Sequence, residues 1–206
     1  MKTLAAKVLG ATALLVLAVP AGAAHAYNGA AASQYADTYW SKYNSAYPSF
    51  ANSGGDCTNF ISQALFGGGI AMRTTPTYTG NAAWFMLRTR KSWSYGIPWI
   101  NAQDNSIFLR NDASIQATPV QSVYGLGAGF TAPTNAGQGD IVAYDWTDDG
   151  TYDHDAIITA KGTDGLWDLV DAHTNSRYHA YWTLAQYNYY WQTTKIDVYH
   201  IPATAH

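Results

Sequence analysis

The chain contains one cysteine, Cys57, behind an N-terminal segment of the kind that directs export, so no disulfide within the chain can hold the fold together. A fold without internal cross-links must be held by its hydrophobic core. Apolar residues make up 48% of the sequence, which is enough for such a core and excludes intrinsic disorder. The length of 206 residues corresponds to one domain and a short additional segment.

Residues 1–26 have the pattern of a secretory signal peptide. Two lysines precede the apolar run Leu9–Val19, and Ala24-His25-Ala26 is a typical cleavage site. The apolar run is shorter than the roughly 20 residues that a membrane-spanning helix needs. We therefore expect cleavage after Ala26, secretion to the medium or the cell wall without a membrane anchor, and a single domain over residues 27–206.

The charge of the chain excludes nucleic acid as a partner. The sequence has 11 basic and 14 acidic side chains, and removal of the two lysines in residues 1–26 leaves a net charge of −5. A nucleic-acid binder needs a basic surface to neutralise phosphates, and none is present. Charged residues are only 12% of the chain and aromatic residues 15%. This composition favours a secreted monomer whose ligands are peptides or sugars.

Cys57 lies at the start of a predicted helix. Apolar residues recur at helical spacing from Phe60 to Leu65, and the glycines of residues 67–69 end the pattern. A thiol in the first turn meets the positive end of the helix dipole, which favours the thiolate, and the free N–H groups there can receive an oxyanion. Asp56 is placed to cap this turn. A structural cysteine needs none of this placement, so we interpret Cys57 as a nucleophile.

A cysteine nucleophile needs a base, and His154 has the most suitable position. It opens a predicted strand that follows an earlier one at residues 139–144. A hairpin turn at residues 162–165 leads to a third strand at residues 166–173, so the second half predicts an antiparallel meander. The remaining histidines apart from His173 are interpreted as structural, surface or terminal residues: His200, His179 and His206.

Four segments occur in an order that is typical of one family. They are Gly55-Asp56-Cys57-Thr58-Asn59-Phe60-Ile61-Ser62-Gln63, Gly139-Asp140-Ile141-Val142, Asp153-His154-Asp155-Ala156-Ile157-Ile158 and Ala172-His173-Thr174-Asn175. With them the chain resembles the amidase-domain family of secreted bacterial proteins, relatives of the papain-like cell-wall hydrolases of NlpC and CHAP type. The resemblance extends over nearly the whole chain after residue 26.

This resemblance implies an α+β fold of the papain-like kind. A helical N-terminal half would present Cys57 from a helix start and pack on an antiparallel sheet or half-barrel that carries His154. It further implies that Cys57 is the nucleophile and His154 the general base of a secreted cysteine amidase or endopeptidase. The expected substrate is a peptide, plausibly in peptidoglycan, and no cofactor or metal is implied.

A third group should orient His154 from the strand that follows it. Asp171, His173 and Asn175 alternate along that strand and are expected to share one face. His173 is the leading candidate because it stays within reach of His154 in both registers that the turn at residues 162–165 permits. Asp171 ranks second and Asn175 third. Three further residues are expected to pack under the Cys57 helix: Ala156, Ile158 and Leu169.

Several alternatives stay open at this level. The acidic segment Asp145–Asp153 either binds calcium or forms a turn that steers a cationic substrate, and the turn is favoured because the spacing is not that of an EF-hand. The aromatic run Tyr181–Trp191 either stacks sugars or forms a strand that packs in the core. The strand in the core is the favoured interpretation. Residues 84–87 suggest a short helix.

The protein could also be an acyl transferase of the transpeptidase or transglutaminase kind, or a non-catalytic wall-binding module.

Overall fold

The structure is a computed structural model that describes residues 26–54, 56–162 and 168–206. Its three α-helices are α1 (Gly29–Tyr39), α2 (Asp56–Gly67) and α3 (Ala102–Asn111). None of the helices in these ranges is long and apolar enough to cross a membrane. The predicted signal peptide lies outside the described residues, apart from Ala26. Residues 163–165 of the predicted turn at 162–165 also lie outside them.

The strands form one six-stranded antiparallel sheet and a separate hairpin. The hairpin pairs β1 (Met86–Arg88) with β2 (Trp93–Tyr95), so the prediction of a helix at residues 84–87 is wrong. The sheet has the order β3-β8-β4-β5-β6-β7, which keeps the predicted meander as three neighbouring strands. Its members are β3 (Thr118–Tyr124), β4 (Ile141–Asp145), β5 (His154–Lys161), β6 (Asp168–Ala172), β7 (Arg177–Tyr181) and β8 (Lys195–His200).

Both faces of the sheet are buried, and the helices cover one of them. Helices α1 and α2 pack against each other and against β5. On the helix side, Ile61 and Leu65 of α2 share a core with Ile157 of β5. On the far side, a second core gathers around Trp182 and Tyr144. Burial on both faces explains why the sequences of β4 and β5 are apolar runs with little alternation.

The face of β5 that meets the helices is not the one predicted. Side chains alternate along a strand, and Ile157 is the one that shares a core with α2. Ala156 and Ile158 are buried in the core on the far side. Beyond them, Ile158 pairs with Val170 but Ala160 pairs with Leu169, so β5 has one additional residue at Thr159.

The residue that packs beneath α2 is therefore Ile157. Leu169 is only partly buried and belongs to neither core. The prediction that Ala156, Ile158 and Leu169 lie under the Cys57 helix is wrong.

Two glycines allow the start of α1 to cross the turn before β4. A Cβ atom on Gly139 would lie 2.3 Å from the Cα of Gly29 and 2.7 Å from the hydroxyl of Tyr27. Gly139 also has a φ of 89°, which side chains rarely adopt. The Tyr27 hydroxyl donates to the carbonyl of Gly139 at 2.7 Å, which fixes the crossing. The entry to α1 therefore depends on a glycine at position 139.

Substitution of Gly139 by alanine should destabilise the protein, because the new methyl group meets backbone at less than van der Waals distance. We expect a loss of about 3 kcal/mol in the free energy of unfolding, measured by urea denaturation. Gly137→Ala is the matched control, since a Cβ there has no atom within 4 Å. Equal stability of the two variants would contradict this account of the crossing.

Candidate active site

Cys57 is the second residue of α2 and is 4% exposed. Its Sγ lies 3.7 Å from the hydroxyl oxygen of Thr58, and the backbone N–H of Asp155 also donates toward the sulfur. The thiol is thus held between the first turn of its own helix and the first residues of β5. This confirms the prediction that the helix begins close to Cys57.

The surroundings of the Cys57 thiol disfavour its charged form. Burial raises the pKa of the thiol above its ordinary value, and the charge of Asp56 adds to the rise. Hydrogen bonds from Thr58 and from the backbone of Asp155 act in the opposite direction but do not outweigh burial. Burial therefore opposes the expected effect of the helix start, and the thiol is neutral at pH 7 in this state of the protein.

Cys57 and His154 both line one cleft of about 360 Å³. Trp146 and Asp153, which flank the acidic loop before β5, also line the cleft. The turn after β6 and the start of β7 contribute Thr174, Asn175 and Arg177. The segment after β7 contributes Leu184, Tyr187, Asn188, Tyr189 and Tyr190. The two residues singled out as nucleophile and base therefore meet at the same cavity.

The His154 ring is held by aromatic neighbours. Its centroid is 5.5 Å from that of Trp146, with which it stacks, and 5.7 Å from that of Tyr144. Burial lowers the pKa of His154 to about 4, with a smaller contribution from the charge of Arg177. The imidazole is thus neutral at pH 7. Within the described residues, no hydrogen bond joins the ring to Cys57 or to a third side chain.

Asp155 is a site residue that the sequence analysis did not identify. Its side chain is fully buried, and its Oδ2 accepts the Thr58 hydroxyl at 2.8 Å. Its Oδ1 has no hydrogen-bond partner among the described residues. Burial raises the pKa of Asp155 to about 7, and the neighbouring Cys57 adds to this rise because two acidic groups repel each other when ionised. Its position next to His154 in the sequence was the available signal.

His173 does not contact His154. Its Nε2 donates to the carbonyl oxygen of Tyr39 at 2.7 Å, and its Nδ1 lies 2.8 Å from Oδ2 of Asp56. The ring also stacks on Phe60 at a centroid distance of 4.1 Å. His173 therefore connects β6, the end of α1 and the start of α2, and the structure does not place the leading candidate for the third group beside the base.

Asp56 accepts hydrogen bonds from three sides. Besides His173, the backbone N–H of Phe50 and the side-chain amide of Asn59 donate to its Oδ1, at 2.9 and 3.3 Å. Burial alone would raise the pKa of Asp56, but the bonds from His173 and Phe50 outweigh it, so the pKa lies below its usual value. Tyr39 offers only a carbonyl acceptor, so the Nε2 of His173 carries a hydrogen, and the Asp56 carboxylate lies against the other ring nitrogen.

Asp171 and His173 both lie on the helix side, but Asn175 does not, so the predicted common face is only partly formed. Asp171 is buried on the helix side and accepts the backbone N–H of His179 at 2.8 Å. Asn175 is exposed and lines the cleft with Cys57. The reason is that β6 ends at Ala172 and a turn begins, in which Thr174 has a φ of 74°. Of the three candidates, Asn175 is the one that the structure brings to the cleft.

The acidic segment at residues 145–153 is a turn closed by its own carboxylates. Asp145 accepts the backbone N–H groups of Asp149 and Gly150 at 3.1 and 2.8 Å. Asp153 accepts the backbone N–H of Trp146 at 2.9 Å. These bonds agree with the favoured interpretation of the segment as a turn. The turn holds Asp153 at the rim of the cleft next to His154.

The aromatic run after β7 is divided between core and cleft. Trp182 is fully buried in the far core, as expected for packing. Residues 187–191 do not form the favoured strand; a short 3₁₀ turn at Ala185–Tyr187 leads into a loop. Tyr189 is 92% exposed in that loop, and Tyr190 is 55% exposed. These rings therefore form a wall of the cleft, and the prediction that they pack in the core is wrong.

Comparison with known proteins places the chain in a family. The family described as Putative amidase domain matches residues 26–200. The chain belongs to this family. Membership indicates amide hydrolysis in general terms. No solved structure matches the chain.

Two similar proteins come from Bacillus subtilis (strain 168). Uncharacterized protein YhbB is 34% identical over 181 residues, which are 87% of this chain and 52% of YhbB. Uncharacterized protein YjcM is 29% identical over 169 residues, which are 78% of this chain and 34% of YjcM. The chain thus spans about half the length of the first relative and a third of the second.

Substitution of His173 by glutamine should destabilise the fold, because it leaves the buried Asp56 carboxylate without its imidazole partner. We expect a loss of about 3 kcal/mol, measured by urea denaturation at pH 7. The double variant D56N/H173Q also removes the carboxylate and should recover at least half of this loss. His200→Gln is the control, since its partner Asp140 keeps two backbone hydrogen bonds. A His173→Gln variant as stable as this control would contradict the pairing.

Substitution of Asp155 by asparagine should make Cys57 more reactive. Asparagine removes a negative charge beside the sulfur, so the pKa of the thiol should fall and alkylation by iodoacetamide at pH 8 should accelerate several-fold. The pH dependence of the alkylation rate measures this shift. Asp153→Asn removes the same charge from the exposed rim, where water screens it, and should change the rate little. Equal effects of the two variants would show that Asp155 does not act on Cys57.

Proposed function

We propose that the protein is a secreted cysteine amidase of the papain-like kind, in which Cys57 attacks an amide carbonyl and His154 transfers the protons. The observation that carries this proposal is the single cleft that Cys57 and His154 share, with the cysteine at the start of a helix. Membership of an amidase family supports the reaction class. The signal-peptide pattern of residues 1–26 supports export.

The proposed reaction has two steps. The Cys57 sulfur attacks the carbonyl carbon while the thiol proton passes to His154, and the N–H groups at the start of α2 stabilise the oxyanion. His154 then protonates the leaving amine, and a thioester remains on Cys57. Water hydrolyses the thioester with His154 as the base, which restores the thiol.

The resting state proposed for the pair is a neutral thiol with a neutral imidazole. The pKa of Cys57 is raised and that of His154 is lowered to about 4, both by burial. An imidazole that is neutral at pH 7 is ready to accept the thiol proton as the sulfur attacks. Contacts of this kind often tighten only when substrate is bound, which accords with the lack of a hydrogen bond between the two residues in the described structure.

We assign the orienting role to Asn175 in this proposal. It lines the cleft with His154, whereas the carboxylate of Asp171 and the ring of His173 bond to groups on the helix side. An amide oxygen can accept an imidazole N–H and so select one tautomer, as the third member does in other cysteine hydrolases. His173 then acts as a positioning residue for the start of α2.

The lining of the cleft suits a peptide that carries both signs of charge, such as the peptides of peptidoglycan. Among the lining residues, Arg177 offers a cation and Asp153 offers a carboxylate. The exposed rings of Tyr189 and Tyr190 can stack on a neighbouring sugar. A substrate with peptide and sugar parts would use all of these groups.

Incubation of the purified protein with peptidoglycan in H₂¹⁸O, followed by mass spectrometry of the released fragments, tests the proposal. Each cleaved amide should carry one ¹⁸O, and Cys57→Ala and His154→Ala should lower the rate at least 1,000-fold, because each removes a group that reacts. Asn175→Ala should lower kcat about 10-fold with little change in KM.

The control is His200→Gln, on the last strand and outside the cleft, which should keep full activity. Cleavage by the Cys57→Ala variant would overturn the cysteine mechanism. Cleavage of synthetic peptides but not of peptidoglycan would keep the mechanism and reject the substrate. Products without ¹⁸O, with the acyl group on another amine, would identify a transferase.

A further inference from the structure

Away from the cleft, three side chains from three elements converge where α1 meets the end of the sheet. Asp37 lies in α1, Asp171 in β6 and His179 in β7. One ligand atom from each lies within 4.8 Å of the other two. The Nε2 of His179 is 3.0 Å from Oδ1 of Asp37. In the described part of the chain, no other trio of His, Cys, Asp or Glu side chains is grouped in this way.

The Asp171 carboxylate is incompletely satisfied within this cluster. Its Oδ1 accepts the backbone N–H of His179 at 2.8 Å and the Thr159 hydroxyl at 3.3 Å. Its Oδ2 is buried and has no partner among the described residues. A buried carboxylate oxygen without a partner is rare and calls for a missing proton, water or ion.

A second carboxylate beside Asp171 makes the need for a positive partner stronger. One oxygen of Asp37 lies within 4.8 Å of one oxygen of Asp171. Two carboxylates at this distance repel each other unless a proton or a cation lies between them. His179 faces the same point with a ring nitrogen, which is a metal ligand when the imidazole is neutral.

We propose that Asp37, Asp171 and His179 bind a divalent transition-metal ion of the zinc type. One imidazole nitrogen with two carboxylate oxygens is a ligand set that suits zinc, whereas calcium and magnesium take oxygen ligands alone. Ligands of a tetrahedral zinc lie roughly 3.3 Å apart, so a small closing movement completes the site. The side chains of Asp37 and His179 are 37% and 32% exposed, so water can enter and supply the fourth ligand.

The role of such an ion would be structural. It would join α1 to β6 and β7, next to the turn at residues 173–176 that carries His173 and Asn175. The site is separate from Cys57 and His154, so the inference does not rest on the proposed amidase activity.

The test uses the full chain with Cys57→Ala, which removes the thiol as a competing zinc ligand. After treatment with EDTA, this protein should bind one Zn²⁺ per chain in calorimetry, and its Tm should rise by at least 5 °C with excess Zn²⁺. Addition of Asp171→Asn or His179→Gln should weaken zinc binding at least 100-fold. Addition of His200→Gln, which changes a histidine outside the cluster, should leave it unchanged.

Stability in EDTA separates a loss of zinc binding from a loss of fold. In that buffer the Asp171→Asn protein should be at least as stable as its parent, because the new amide can donate to Asp37. If the parent binds no zinc, or if the Asp171→Asn protein binds zinc as well as its parent does, the proposal is wrong. An equal rise in Tm with Ca²⁺ would reject the zinc class.

Discussion

The buried pair of Asp56 and His173 is the interaction on which the candidate site depends. It is made by residues 117 positions apart, and it brings the turn after β6 against the first turn of α2. His173 also donates to the carbonyl of Tyr39, and Asp56 also accepts the N–H of Phe50. These bonds fix the end of α1 and the segment before α2. The position of Cys57 follows, because it is the next residue after Asp56.

Burial has an unusual consequence for the chemistry of the site. A surface cysteine at a helix start gains thiolate character from the helix dipole. Here Cys57 is almost completely buried with Asp155 beneath it, and burial is the larger effect. His154 responds to burial in the opposite sense, since its charged form is the cation. The pair can therefore rest without charge in a cleft that is lined by aromatic rings.

The elements of the fold could be predicted from local patterns, whereas the contacts between them could not. Helix α2 and strands β4 to β6 are evident from periodicity and from the glycines that end them. In β5 nearly every side chain is buried, so the sequence does not show that Ile157, rather than Ala156 and Ile158, meets α2. His173 contacts the carboxylate of Asp56, which belongs to helix α2. Its place on the strand after His154 predicted a contact with His154, which the structure does not contain. Asp37, Asp171 and His179 come from three elements with no common spacing.

The contacts of α1 also determine when this helix can become stable. Its Ser33 hydroxyl donates to the carbonyl of Thr159, 126 positions later, and the N–H of Tyr27 donates to Ala205. A helix of this length is marginal in water until such packing exists. During synthesis α1 is made before α2 and α3, but its stabilising contacts form only when nearly the whole chain is present. Most of the chain therefore stays incompletely folded until then. Such a delay would suit the proposed export, because a chain crosses a membrane most readily before it folds.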